Sequence, residues 1–219
     1  MNVGLISDVH GNVVALEAVL DDMPAVDALV CAGDVVGYNP WHADCVETLR
    51  DREVPTVMGN HDRAVVSGNH FGFNSMAGAG VRHARETLCG DHVEWLAALP
   101  EVRHEFDRRI TLVHSHPEHR GRYTYPEEFG PHLLDEEDVL VLGHTHVQYH
   151  ERYDEGIVVN PGSVGQPRDG DPRAAYAVVD LDELTLTEYR TEYDLERVQR
   201  AIARADLPSR IGERLEDGR

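Results

Sequence analysis

Short apolar runs recur along the chain, and most of them end abruptly in polar residues. Asn2-Val3-Gly4-Leu5-Ile6 has the look of a buried strand and runs into Ser7-Asp8-Val9-His10-Gly11-Asn12. Asn12 to Asp22 then carries Val13, Leu16, Val19 and Leu20 at helical spacing, with Asn12 placed as a cap and Pro24 beyond the end. Residues 28–32 read as a second strand. Residues 40–52 read as a helix with Pro40 in its first turn, and residues 54–58 as a third strand. This βαβαβ order predicts a sheet with a parallel core and helices outside.

From His61 to Leu99 the spacing is mostly helical, with a break between Gly68 and Gly72. Residues 75–88 are amphipathic, and a shorter helix over 91–99 is stopped by Pro100. Residues 102–106 and 110–113 predict a hairpin through Asp107-Arg108. A loop rich in His, Arg, Tyr, Gly and Pro follows from 115 to 131, the kind of loop that often carries function. A strand over 139–142 leads into Gly143-His144-Thr145-His146, and residues 149–152 and 157–159 predict a second hairpin. Residues 160–173 hold too many Gly and Pro for regular structure. Two antiparallel strands (174–180 and 184–189) and a helix (194–205) come last, and the acidic tail after Pro208 is expected to fray. With no linker or repeat, residues 1–219 are expected to form one α/β domain. Two mixed sheets would pack as a sandwich flanked by helices.

Composition changes one part of this picture. Asp and Glu number 40 against 20 basic residues, all arginine, for a formal charge of −20. An acidic, lysine-free surface suggests adaptation to high salt, where screening removes self-repulsion. It also argues against binding duplex nucleic acid, which needs basic surface. No apolar run approaches the roughly 20 residues of a membrane span, so no membrane partner is expected. The first residues enter a strand with no basic flank, and Cys31, Cys45 and Cys89 show no paired spacing. Together these features give the expectation of a cytoplasmic, reduced protein.

The polar residues that follow the apolar runs are Asp8, His10, Asp34, Asn60, His61, His114, His144 and His146. Singly, each has an ordinary explanation. Asp-x-His is a common dipeptide, Asp34 could cap a helix, and Asn60 could sit in a turn. Five such segments in order, each with ligand-type side chains, are poorly explained as five satisfied caps. Carboxylates, an amide and imidazoles form a mixed N/O set suited to Mn, Fe, Zn or Ni with open positions. The set is too large for one ion and about right for two, with Asp34 the natural carboxylate to share between them.

Asp8-x-His10, Gly33-Asp34, Gly59-Asn60-His61-Asp62, His114 and Gly143-His144-Thr145-His146 together resemble the calcineurin-like metallophosphoesterases. They come nearest to the small single-domain bacterial and archaeal phosphodiesterases of that family. The resemblance extends to Asn160-Pro161-Gly162-Ser163. It implies a two-sheet sandwich and two divalent ions, with Mn expected and Fe, Ni or Zn also accepted. One ion would be held by Asp8, His10, the bridging Asp34 and His146. The other would be held by Asp34, Asn60, His114 and His144. His61 would stabilise the transition state or protonate the leaving oxygen, and Asp62 would orient it through its other ring nitrogen.

The implied activity is hydrolysis of a phosphodiester by in-line attack of a metal-held hydroxide. Dinucleoside polyphosphates and phosphomonoesters are alternatives, and a nucleotide is a candidate substrate. The resemblance also allows a homodimer. One departure is Ser115-His116-Pro117, which sets His116 and His119 beside His114 as rival imidazoles. His114 is preferred because it directly follows a strand. Arg63, Arg120 and Arg168, with Arg122, lie in or next to the motif loops as candidate phosphate contacts, and Tyr38, Tyr123 and Tyr125 could stack a base. A non-catalytic scaffold of the same fold is disfavoured because His61 and every ligand are present. A repair nuclease is disfavoured by the short chain and sparse basic surface.

Overall fold

A computed structural model describes residues 1–219. The first half runs β1 (Asn2–Ile6), α1 (Val13–Asp22), β2 (Ala28–Cys31), α2 (His42–Asp51), α3 (Asn60–Ser67), α4 (Ser75–Thr87) and α5 (Gly90–Ala98). The second half runs β3 (Val102–Glu105), β4 (Ile110–Val113), β5 (Val139–Val141), β6 (Tyr149–Arg152), β7 (Ile157–Asn160), β8 (Ala174–Asp180), β9 (Thr185–Thr191), α6 (Leu195–Arg204) and α7 (Arg210–Glu216). The strands form two mixed sheets, ordered β2-β1-β8-β9 and β3-β4-β5-β7-β6. In the first sheet β1 runs parallel to β2 and antiparallel to β8. In the second, β4, β5 and β7 form a parallel core.

The period-2 alternation of β1 explains how it is buried on both faces. Val3 and Leu5 face the second sheet, in an apolar layer with Val30, Ile110, Leu112, Val139, Val159 and Val179. Ile6 faces the other way, into a larger cluster built from the helices, where Leu16, Val19, Leu49, Leu96 and Tyr176 are fully buried. Strands packed on both sides read as continuous apolar runs, which is why their ends were easy to see. No helix is long and apolar enough to cross a membrane.

Two expectations need correction. The third strand over 54–58 shrinks to a single parallel bridge between Cys31 and Thr56. Pro55 has no N–H to donate, and the chain leaves β2 after Val57 to deliver Gly59 and Asn60 to the site. The tail after Pro208 is ordered rather than frayed. Ile211 and Leu215, one helical turn apart on α7, are fully buried, and Gly170 N–H donates to the Gly218 carbonyl at 3.0 Å.

Candidate metal centre

β1 stops at Ile6 and β5 at Val141, so the site lies in loops just past the strands. Asp8, His10, Asp34, His144 and His146 all have left-handed backbone, with φ between 51° and 69°. Non-glycine residues avoid this region at a cost of about 1 kcal/mol each. The loops compensate by bonding one another. Asp8 N–H donates to the Gly33 carbonyl and His10 N–H to that of Asp34, both at 2.9 Å. Gly165 N–H donates to the Asp8 carbonyl at 2.9 Å, and the Ser163 hydroxyl to the same carbonyl at 2.7 Å. His144 N–H reaches the Asp8 carboxylate at 3.0 Å. His144 and His146 are therefore aimed by turn geometry and not by a continuing strand.

The imidazoles share one device. His10, His114 and His146 each present Nδ1 to a backbone carbonyl, those of Val36 (3.1 Å), Ala32 (2.8 Å) and Gln166 (2.5 Å). A carbonyl can only accept, so each Nδ1 carries the proton and each Nε2 lone pair points forward. The forward atoms then face other acceptors. His10 Nε2 lies 3.1 Å from His146 Nε2, and Asp8 Oδ1 lies 3.6 and 3.2 Å from those two nitrogens. Asp8 Oδ1 is buried without a hydrogen-bond partner. Buried lone pairs turned on one another are unfavourable unless a cation or a proton sits among them.

The donor atoms of Asp8, His10 and His146 lie within 4.8 Å of one another, as do those of Asp34, His114 and His144. Asn60 joins the second group, its Oδ1 3.1 Å from His114 Nε2. Asp34 Oδ2 reaches both groups, 3.6 Å from His10 Nε2 and 3.3 Å from His114 Nε2. The residues present thus fit a pair of divalent ions in N/O coordination, with Asp34 between them. Burial pushes the Asp34 carboxyl up, but His114, His61 and His10 outweigh it and hold it below the carboxylate range. Burial pulls His114 down, but Asp34, Asp8 and the Ala32 carbonyl together outweigh it and raise it to about 10. His144 falls to about 4 through burial and the charge of His114. His146 falls to about 3 through burial and Arg168.

His61 is packed between Tyr38 and Phe73, with ring centroids at 4.8 and 4.7 Å, and stands edge-on to His10 at 4.7 Å. Its donor atom also lies within 4.8 Å of those of His10 and Asp34. The implied role of Asp62 is not what the structure shows. Asp62 Oδ2 accepts from Gly59 N–H at 2.9 Å and Oδ1 from Val36 N–H at 3.1 Å, while His61 Nδ1 is buried with no partner. At the third position of α3 an acidic side chain folds back on the cap, whereas His61 projects into the site. Asp62 therefore ties the helix start to the Asp34 loop. Burial and the Asp34 charge raise its carboxyl to about 6.

The structure separates His114 from His116. His116 stacks on His119 at 5.0 Å and accepts from Glu118 N–H, outside the ring of donors. Arg63 and Arg120 line a cavity of about 310 Å³ with Asn60, Phe73 and His114, yet both pair with Glu101. Arg168 pairs with no carboxylate and donates to Tyr38 and Gln166. Tyr123 stacks on His144 at 4.1 Å and Tyr125 on Tyr123 at 5.9 Å, whereas Tyr38 is 3% exposed and belongs to the wall of the site. Sequence reasoning passed over Ser7, whose hydroxyl donates to Asp8 Oδ2 at 2.7 Å, and Gln166; position beside a motif was their only signal.

Comparison with known proteins gives a consistent result. The model of the calcineurin-like phosphoesterase superfamily domain matches residues 1–184. An uncharacterised protein of Methanocaldococcus jannaschii is 30% identical over 239 residues, covering 99% of this chain and 98% of that one. The phosphodiesterase YfcE of Escherichia coli is 31% identical over 82% of this chain and 88% of its own. The crystal structure of a metallophosphoesterase from Sphaerobacter thermophilus superposes with a TM-score of 0.87 at 34% identity. It covers 100% of this chain and 99% of that chain.

Proposed function

The chain belongs to the calcineurin-like phosphoesterase superfamily and is a metal-dependent phosphoric ester hydrolase; from that premise we propose that it works with two ions and acts chiefly on phosphodiesters. The observation that carries this reading is Asp34 Oδ2 standing between two groups of forward-pointing donors. Asp8, His10 and His146 hold one ion. Asn60, His114 and His144 hold the other, and Asp34 belongs to both. Two bound divalent ions supply water activation and charge neutralisation at the phosphoryl oxygens. Mn²⁺ is the ion we favour on the family resemblance; carboxylate, amide and imidazole donors without thiolate accept it, as they accept Fe, Ni or Zn.

The chain's own groups do the rest. Carbonyls of Val36, Ala32 and Gln166 hold three imidazoles in the ligating tautomer. With Nδ1 of His61 buried and unpartnered, its other ring nitrogen is left to meet a phosphoryl or leaving oxygen. Tyr38 and Phe73 keep that ring in place. Arg168 is the best placed of the three proposed arginine contacts, since Arg63 and Arg120 are both tied to Glu101. Dinucleoside polyphosphates remain the alternative substrates.

The test is hydrolysis of bis-p-nitrophenyl phosphate and p-nitrophenyl phosphate after Mn²⁺ loading in high salt, with metal content measured in parallel. Wild type should hold two ions per chain and prefer the diester. His61→Ala should keep both ions and lose about 10²-fold or more in turnover. One ion per chain in wild type, or an ion lost with His61, would overturn the assignment.

A further inference from the structure

Tyr123 and Tyr125 are among the few large apolar side chains that this chain exposes, at 44% and 45%, and they stand together at the metal centre. Tyr123 lies flat on His144, with ring centroids 4.1 Å apart and planes 17° apart. His144 is itself a donor of the second group. Tyr125 continues the stack on Tyr123 at 5.9 Å and 15°. Thr124, between them, is buried, and this exposed–buried–exposed order sends both tyrosines outward on one side of the chain.

The loop holds the two rings in place by bonds at either end. His144 Nε2 donates to the Gly121 carbonyl at 3.3 Å, and Gly121 N–H donates to the Ser115 hydroxyl oxygen at 2.8 Å. Beyond the rings, Glu128 N–H donates to the Tyr125 carbonyl at 2.8 Å. The Glu128 carboxylate accepts from Tyr125 N–H at 3.3 Å and pairs with Arg122. A ring kept ordered and half in water has lost rotamer freedom without completing its burial. A flat group laid against the stack would complete it. One end of that stack is a metal donor, so the flat group belongs to a molecule whose reacting part lies on the metals.

We propose that Tyr123 and Tyr125 form a stacking platform for the nucleobase of a nucleotide ester whose phosphate lies at the metal centre. The inference rests on the phosphoesterase reading and narrows it to nucleotide substrates. A nucleoside phosphate carries its flat ring one sugar away from phosphorus, which suits a stack that starts on a metal donor and ends in solvent. Stacking reads a π-face and no hydrogen-bonding edge, so the platform favours a base over none without choosing among bases. The net charge of −20 directs this preference to small nucleotide esters and away from long nucleic acid.

The test compares binding of AMP and ribose 5-phosphate to the Mn²⁺-loaded full chain by titration calorimetry, since the pair differs by the base alone. Wild type should bind AMP about tenfold more tightly. Replacing both Tyr123→Leu and Tyr125→Leu keeps apolar bulk but removes both π-faces, and should cut the preference to about twofold or less. Replacing both by Phe keeps the rings and should retain it. Tyr125→Ala, which leaves the ring on His144 in place, should cut the preference in part and serves if the Leu variant does not fold. No preference in wild type, a preference unmoved by Leu or Ala, or one lost with Phe would overturn the platform. Turnover of bis-p-nitrophenyl phosphate is read separately. If it is absent while the AMP preference follows the rings, the phosphodiester reading fails and the platform stands.

Discussion

Acid should unlatch this protein through His42, a residue outside the metal centre. His42 is fully buried. Its Nδ1 accepts from Gly37 N–H at 3.3 Å, so its proton sits on Nε2, which faces His83 Nδ1 at 3.1 Å. A second proton on the ring would point at the Gly37 N–H. Burial first, then the charges of His83 and His10, lower its titration to about 3. An unfolded histidine titrates near 6.5. The folded value lies below the unfolded one, so the unfolded chain takes up the proton first. Stability is therefore intact above about pH 6.5 and declines as pH falls, until the folded form also titrates near pH 3. Each pH unit inside that window costs up to about 1.4 kcal/mol. At pH 5 the loss is roughly 2 kcal/mol, or about 4–8 °C in Tm for a chain of this size.

The assay is Tm against pH for wild type and His42→Gln. Glutamine can accept from Gly37 and donate to His83 but does not titrate. Wild type should lose about 4–8 °C more than the variant between pH 7.5 and pH 5. Parallel Tm curves for the two proteins would refute the reasoning, since the other histidines are common to both.

Gly37→Ala should cost at least tenfold in kcat with both ions retained. Gly37 has φ of 101°, and a Cβ there would lie 2.3 Å from His61 Nδ1; unchanged kcat would show that His61 need not hold its position. Asn160 donates to the Gly143 carbonyl at 2.7 Å and the Thr145 hydroxyl at 2.9 Å, and accepts from Gly162 N–H at 3.0 Å. Asn160→Ala should lose about 2–4 kcal/mol in urea denaturation and weaken metal retention, and a loss below about 1 kcal/mol would contradict that bracing role. With a net charge of −20, Tm should rise by several degrees between 0.15 and 2 M KCl, and a flat or falling Tm would remove the high-salt reading.

Much of this protein could be read from local pattern. Strands buried on both faces are continuous apolar runs, and the residues placed just after them are the donors that meet in the site. The spacing of α1, α4 and α6 follows from period and caps, with Asn12, Asn74 and Asp194 each accepting from the first turn. Residue type alone marked Asp8, His10, Asp34, Asn60, His114, His144 and His146. What the sequence could not express was decided by contacts between distant loops. Left-handed backbone, not strand direction, aims five of the seven donors. The proton on each ligating imidazole is placed by carbonyls 20, 26 and 82 positions away. Asp62 turns to the helix cap because Gly59 and Val36 offer N–H groups and His61 faces elsewhere. Arg168 differs from Arg63 and Arg120 only because Glu101 lies beside the latter two. Period and propensity report what a segment does to its own neighbours. Tautomer, pairing and charge balance belong to atoms brought together from across the chain, and only packing determines which atoms those are.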